Sequence, residues 1–349
     1  MNLPFVKYHG TGNDFVLIDN RSGIWENFIE NAPESSEKNS CQKLVSFICN
    51  RHIGIGADGL ILLQNIDGYD FEMIYFNSDG KTSSMCGNGG RCIAHWSFSL
   101  GLGDGKLLNF WAADGAHQAS KKDYIGTQKT SPKVDTQTEF IQLTMNAVDD
   151  CKLIDSDCFE IHTGSPHYVQ FSKKEINTID LISWAKSIRY NEAYKEKGIN
   201  VNIVHILGNR SIQMRTYERG VENETMSCGT GVVAAALSFS ILNDLHGGDI
   251  DVITCGGELR VRFSRRDNGN KSSFSSEKNK PDILLGIIPI PDNDAKPAKS
   301  KPVIGNPTSK KNILHSDKGN GPESNPAIGF HQIFLEGPAQ KVFEGSIPY

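Results

Sequence analysis

The alternation of apolar and polar positions predicts a chain built mainly of short strands. Residues 5–9 and 15–19 run apolar or alternate on either side of His9-Gly10-Thr11-Gly12-Asn13-Asp14, the pattern of strand, glycine-rich turn, strand. Residues 41–50 set Leu44, Val45, Phe47 and Ile48 at helical spacing, and they stop at a loop from Arg51 to Gly59 too rich in glycine to stay helical. Strands are expected at 60–63 and 71–76, then a helix from Cys86 to about Leu100, then a hairpin of 107–111 and 117–122 around Asp114-Gly115. Farther on, the pattern predicts strands near 140–147, 158–163, 200–206 and 211–217. It also predicts a helix over 180–189, where Trp184 reads as core filling, and another from Cys228. Polar composition and Pro132 within 128–137 place a domain boundary at 135/136. After Phe263 the chain turns rich in Ser, Asn, Lys, Pro and Gly, so 265–328 reads as a long, flexible surface insertion. Its one apolar island, Ile283 to Ile290, is a candidate edge strand. Strands resume at 331–335 and 340–343.

One unit occurs twice. Tyr75-Phe76-Asn77-Ser78-Asp79-Gly80 leads to Met85-Cys86-Gly87-Asn88-Gly89, and Thr216-Tyr217-Glu218-Arg219-Gly220 leads to Ser227-Cys228-Gly229-Thr230-Gly231. Each reads as an aromatic strand end, a polar turn, and a Cys-Gly-x-Gly at the mouth of a helix. Gly12-Asn13-Asp14-Phe15-Val16 likewise has a partner in Gly164-Ser165-Pro166-His167-Tyr168-Val169. Matched motifs in the same order, about one domain apart, predict two like halves facing each other.

A cysteine at a helix N-terminus meets unpaired N–H groups and the positive end of the helix dipole, which favour thiolate. The same N–H groups can hold a carboxylate, and the glycines let a ligand approach the backbone. Two such units form a carboxylate cradle with a thiol on each side. Inversion at a carbon α to a carboxylate needs that arrangement: one group takes the proton from one face and the other delivers a proton to the opposite face. A hydrolytic Cys–His nucleophile would need one cysteine, not two symmetric ones.

Composition narrows the field. The 349 residues suffice for two domains, and the net charge of -5 gives no basic face for nucleic acid. No apolar run approaches the ~20 residues that cross a bilayer. The first residues lack the charged leader and apolar core of a secretory signal, so the expected compartment is the cytosol. None of the eight cysteines forms a Cys-x-x-Cys pair, which argues against zinc; Cys41, Cys49, Cys92, Cys151, Cys158 and Cys255 read as ordinary reduced residues.

Taken together, the chain outside 265–328 resembles the diaminopimelate epimerases. The resemblance is carried by His9-Gly10-x-Gly12-Asn13-Asp14-Phe15, Gly54-x-Gly56-x-Asp58, Phe76-Asn77-x-Asp79-Gly80, Met85-Cys86-Gly87-Asn88-Gly89-x-Arg91-Cys92, Gly164-x-Pro166-His167, and Tyr217-Glu218-Arg219-Gly220 with Cys228-Gly229-Thr230-Gly231. Proline racemases share the fold but usually carry His after the first Cys-Gly; Asn88 speaks for diaminopimelate. The resemblance implies an α/β (α+β) fold of two pseudo-symmetric halves, each a curled mixed β-sheet around a central helix, with the site in the cleft between them. It returns the last strand to the first half, giving halves of 1–135 plus 337–349 and 136–336. It implies Cys86 and Cys228 as the two bases, with Asn13, Asn77, Gly87, Asn88, Asn200, Gly229 and Thr230 on the substrate. Glu218 and Arg219 would take its distal ammonium and carboxylate, and His167 and Ser165 would support the site. No cofactor and no metal are implied. The partners implied are a small-molecule substrate and a second copy in a homodimer, and the setting is lysine and peptidoglycan precursor synthesis. The family often has Gln where Gly59 stands and Asn where Ser165 stands. Alternatives on the same scaffold are a racemase for another amino acid, an isomerase, or a non-catalytic binding protein.

Overall fold

The computed structural model describes residues 2–31, 40–83, 85–122, 139–149, 151–266 and 329–348. In the first half, β1 (Asn2–Gly10) and β2 (Asn13–Asp19) form a hairpin whose two turn residues, Thr11 and Gly12, both have positive φ. That conformation matches the twist of the flanking strands. Two outer helices follow, α1 (Ile24–Glu30) and α2 (Cys41–Cys49), the second capped by Ser40 accepting from the Lys43 N–H. Next come β3 (Gly59–Gln64), β4 (Phe71–Asn77), the central helix α3 (Gly87–Ser99), β5 (Leu107–Ala112), β6 (Gly115–Lys122) and β7 (Glu139–Met145).

The second half contains β8 (Cys151–Asp155), β9 (Cys158–His162), β10 (Pro166–Ser172), the outer helix α4 (Leu181–Arg189), β11 (Asn200–Gly208), β12 (Ser211–Glu218) and the short β13 (Asn223–Thr225). It continues with the central helix α5 (Gly229–Leu242), β14 (Gly247–Thr254), β15 (Gly257–Arg266) and β16 (Gly329–Pro348). As expected, Trp184 on α4 is buried, beside Tyr168.

The strands β1 to β7 hydrogen-bond in sequence, and β16 joins β7 on one side and β1 on the other. This closes an eight-stranded ring around α3, whose Ile93, Ala94 and Trp96 pack on Phe15, Ile61 and Leu143. From β16 the sheet continues through β15, β14, β12, β11, β10 and β9 to β8, and a bridge between Val148 and Phe330 brings its far end back toward β16. This second curl wraps α5. The segment Val232 to Leu237 is buried all round, which an amphipathic helix could not be. The resemblance-based expectation of a curled mixed sheet around a helix in each half therefore holds.

Two strand assignments need correction. The pair expected at 331–335 and 340–343 is one continuous strand, β16. Its first part pairs with β15, its middle with β7 and its last part with β1, so one strand belongs to both halves. The polar Glu336-Gly337-Pro338 stretch reads as a break but is paired throughout with β7. In turn β7, expected to open the second half, pairs with β6 and buries Ile141 and Leu143 in the first core. The boundary at 135/136 and the apolar island at 283–290 lie outside the described residues.

Candidate active site

Both cysteines sit where the pattern put them, as N-caps. Cys86 precedes α3 with φ −101° and ψ 122°, and Cys228 precedes α5 with φ −117° and ψ 111°. Each carbonyl accepts the first helical bond, from Gly90 N–H at 2.7 Å and Val232 N–H at 2.8 Å. Neither side chain caps its helix, so the next N–H groups are left for other acceptors.

The two helices meet end to end. A Cβ on Gly229 would lie 3.2 Å from the Gly87 Cα, and one on Gly87 would lie 3.5 Å from the Gly229 Cα. Leu335 of the shared strand packs under both. The two glycines give this approach its room, and it sets the two N-termini against each other with a cysteine immediately before each. The Asn88 amide spans the join, donating to the Ser227 carbonyl at 2.9 Å and to the Asn13 Oδ1 at 3.2 Å. Asn13 Oδ1 in turn faces the Cys86 sulfur at 3.7 Å.

On the Cys228 side a polar chain runs inward. The Thr230 hydroxyl lies 3.4 Å from the Cys228 sulfur, 2.9 Å from His167 Nε2 and 3.0 Å from the Ser165 hydroxyl. Asn202 donates to the Tyr168 carbonyl and accepts from Thr216, which orients its amide to donate to His167 Nδ1 at 3.1 Å. With Nδ1 accepting, the ring hydrogen sits on Nε2 and points at Thr230 or Ser165. Burial, with the charges of His162 and Arg219 nearby, pushes His167 down to about 3, so the ring is neutral at physiological pH. Such a ring, bonded to the Thr230 hydroxyl, is poorly suited to take up a proton.

The expected pull toward thiolate is outweighed. Burial pushes Cys86 up to about 11; the Gly89 and Asn88 N–H groups work against this, and the Glu218 charge adds to it. Burial and Glu218 push Cys228 up as well, while the Thr230 hydroxyl and the Gly231 N–H work the other way. The helix N–H groups thus act in the predicted direction, but desolvation of a thiolate at this largely buried turn is larger. Glu218 itself is raised by burial and by Asp58. Its charge reaches both sulfurs, so a cation bound to it would relieve both. In the empty enzyme, alkylation of Cys86 should accelerate about tenfold per pH unit from neutrality up to about 11, because only the thiolate reacts. A rate flat above pH 8 would contradict this.

The remaining predicted residues divide in two. Asn77 is exposed at the end of β4. Arg219 is exposed too, with Nη1 on the Lys197 carbonyl at 2.9 Å. Asn200 is 4% exposed, and its amide is engaged at both ends, donating to Ser165 and Pro166 and accepting from the Arg219 N–H at 2.8 Å. Its side chain ties the Ser165 loop to the Glu218-Arg219 turn. Asn88 is likewise spent on protein partners, so the backbone N–H groups of this turn are its means of reaching a ligand. Gly59 has no room for the longer residue common at this position, because a Cβ would lie 2.5 Å from the Tyr75 ring.

Sequence reasoning missed the residues behind this layer. Asp58 holds Asn13 by its amide at 2.6 Å, and is itself held with Asp14 by Arg51, at 2.7 Å to each. Lys7 completes the cluster at 2.8 Å from Asp14. Arg51 and Lys7 hold the Asp14 carboxyl well below the usual range even against burial. The signal was a set of charges within and beside glycine-rich motifs, where spacing alone does not say which face they take.

The family model for diaminopimelate epimerase matches residues 5–124 and 159–277. The chain belongs to the diaminopimelate epimerase family. The Flavobacterium psychrophilum diaminopimelate epimerase is 38% identical over 266 residues, 76% of this chain and 93% of that one. The Aquifex aeolicus diaminopimelate epimerase is 35% identical over 270 residues, 75% and 90% of the two chains. Among solved structures, a phenazine biosynthesis protein of the PhzF family from Bacillus anthracis superposes with a TM-score of 0.57 at 12% identity, each chain fully covered. A probable proline racemase from Agrobacterium radiobacter, with bound carbonate, does so at 0.56 and 13%, covering 99% of this chain and 93% of that one. At such identity these two speak to the fold, which this epimerase-family chain shares.

Proposed function

We propose that this chain interconverts LL- and meso-diaminopimelate without a cofactor, using Cys86 and Cys228 as the two acid/base groups. The observation that carries the reading is the end-to-end contact of the two Cys-Gly helix N-termini at Gly87 and Gly229. One thiolate takes the α-proton from its face, and the opposite thiol gives its proton to the other face. The sulfurs then stand in exchanged protonation states, ready for the reverse reaction. Charge that builds on the substrate carboxylate as the carbanion forms faces the N–H groups of both first turns. Gly87, Asn88, Gly229 and Thr230 supply those groups, while Asn13 and Asn77 line the first half's side.

At the far end, Glu218 takes the distal ammonium and Arg219 the distal carboxylate. A cation on Glu218 removes one of the influences that keep both thiols protonated, so substrate binding itself makes a thiolate easier to form. Ser165 and His167 act behind Thr230, and Asn200 holds Ser165 in place. The product would serve lysine and cell-wall precursor synthesis in the cytoplasm, and the active unit is a homodimer.

Incubation with LL-diaminopimelate in deuterated water is the direct test. Deuterium is expected at the α-carbon as the meso form appears. Folded protein that gives no exchange would leave a binding protein on this scaffold as the better reading; exchange with another amino acid instead would favour a racemase.

A further inference from the structure

Arg91 opens the second turn of α3 and is 0% exposed. Every partner it has is neutral. Its Nη2 donates to Asn88 Oδ1 at 2.8 Å and to the Thr11 hydroxyl at 3.3 Å, Nη1 to the Gly87 carbonyl at 3.3 Å, and Nε to the Pro338 carbonyl at 3.4 Å. Among the described residues no carboxylate pairs with it. Buried charges are ordinarily paired, because neutral acceptors recover only part of the lost hydration. Burial pushes the guanidinium down to about 10, which still leaves it charged at neutral pH.

The fold makes room for this group. A Cβ on Gly337 would lie 3.1 Å from Nε, and one on Gly10 would lie 3.3 Å from Nη2, so bare backbone of β16 and β1 flanks it. It lies directly behind the Cys86-Gly87-Asn88 turn. The bond to Asn88 Oδ1 turns the other end of that amide toward Asn13 and Ser227, and so toward both thiols. The titratable groups that sense Cys86 are Glu218 on β12, Tyr75 on β4, Cys228 ahead of α5, and Arg91 and Cys92 on α3. Arg91 is the positive one among them.

We propose that Arg91 is a positioning residue whose uncompensated buried charge is the standing counter-ion for the Cys86 thiolate and the substrate carboxylate beside it, and whose grip on Asn88 sets the join between the halves. This rests on Cys86 being one of the two bases. The negative charge missing from around Arg91 in the resting protein is the one that the thiolate and the bound carboxylate would bring.

The test measures iodoacetamide alkylation of Cys86 against pH, located by peptide mapping, in full-length Cys228→Ala protein. Arg91, Arg91→Lys and Arg91→Met forms are compared after circular dichroism has checked their folding. Arg91→Met should move the curve to higher pH by about one unit, making alkylation about tenfold slower at any pH below the midpoint. Arg91→Lys, which keeps the charge, should stay within about threefold of the parent. A folded Met variant with an unmoved curve overturns the proposal. If the Met variant does not fold, a Lys variant slowed tenfold overturns it and one close to the parent supports it. Alkylation needs no turnover, and activity is read separately on the parent chain with both cysteines: a parent inactive on diaminopimelate with a shifted curve in the Met variant sinks the epimerase reading alone, and an active parent with an unshifted curve sinks this proposal alone.

Discussion

Cys86→Ala and Cys228→Ala are each expected to lower the interconversion of LL- and meso-diaminopimelate by at least about a thousandfold, within the range that positioned acid/base groups contribute. Loss of either stops both directions, because each sulfur is the base one way and the acid the other. The fold should survive, since neither side chain caps its helix and alanine is smaller than cysteine. A sharper expectation follows from the two-sided geometry. Each single variant keeps one working face, so it should still wash deuterium into the stereoisomer that presents its proton there, with configuration retained. Proton NMR in deuterated water reads both outcomes. Normal interconversion in either variant would rule out the two-base scheme.

Gly256→Ala should be the most damaging single methyl in the described structure outside the two cysteine turns. Its Cβ would fall 1.8 Å from the Thr11 carbonyl oxygen and 3.1 Å from that of Met226. Both obstacles are backbone, so no rotamer change relieves them. The Gly256 N–H meanwhile bonds the Met226 carbonyl at 2.8 Å. This contact clasps the β1–β2 turn of one half to the segment entering α5 in the other. Overpacking of this kind costs about 1–3 kcal/mol. The turn carries Asn13 and the segment carries Ser227 and Cys228, so the displacement also reaches the site. A fall in kcat of about tenfold or more is expected in protein that is still folded, beside a lower urea midpoint. Unchanged midpoint and unchanged kcat would mean that the clasp yields freely.

The parts of the molecule legible in the sequence are those decided locally. The Thr11-Gly12 hairpin, the serine-capped α2 and the two Cys-Gly caps each follow from a few neighbouring residues, and so does the duplication. What was misread depended on partners distant in the chain. Glu336-Gly337-Pro338 has the composition of a strand breaker, yet β7 pairs with it along its length, and the Pro338 carbonyl turns to Arg91. The helix at 24–30 and the strands β8, β10, β13, β14 and β15 gave no pattern strong enough to name. At the site, the residue types were readable but the balance of forces was not. A helix N-terminus argues for thiolate, and only the burial of the turn in the folded chain shows desolvation overruling it. Likewise their residue type does not announce that the Asn88 and Asn200 amides are bonded within the protein, across the join and to the Glu218-Arg219 turn.

The meeting of Gly87 and Gly229 has one more consequence. Much of the anion grip proposed here is made of main-chain amides, and main chain has nothing for an alanine scan to delete. Such a survey would record the sulfurs, Glu218 and Arg219, and pass over the cradle in silence. Replacing single peptide bonds by esters at 87, 88, 229 and 230 would remove one donor at a time, and would weigh the part of this enzyme that its side chains do not encode.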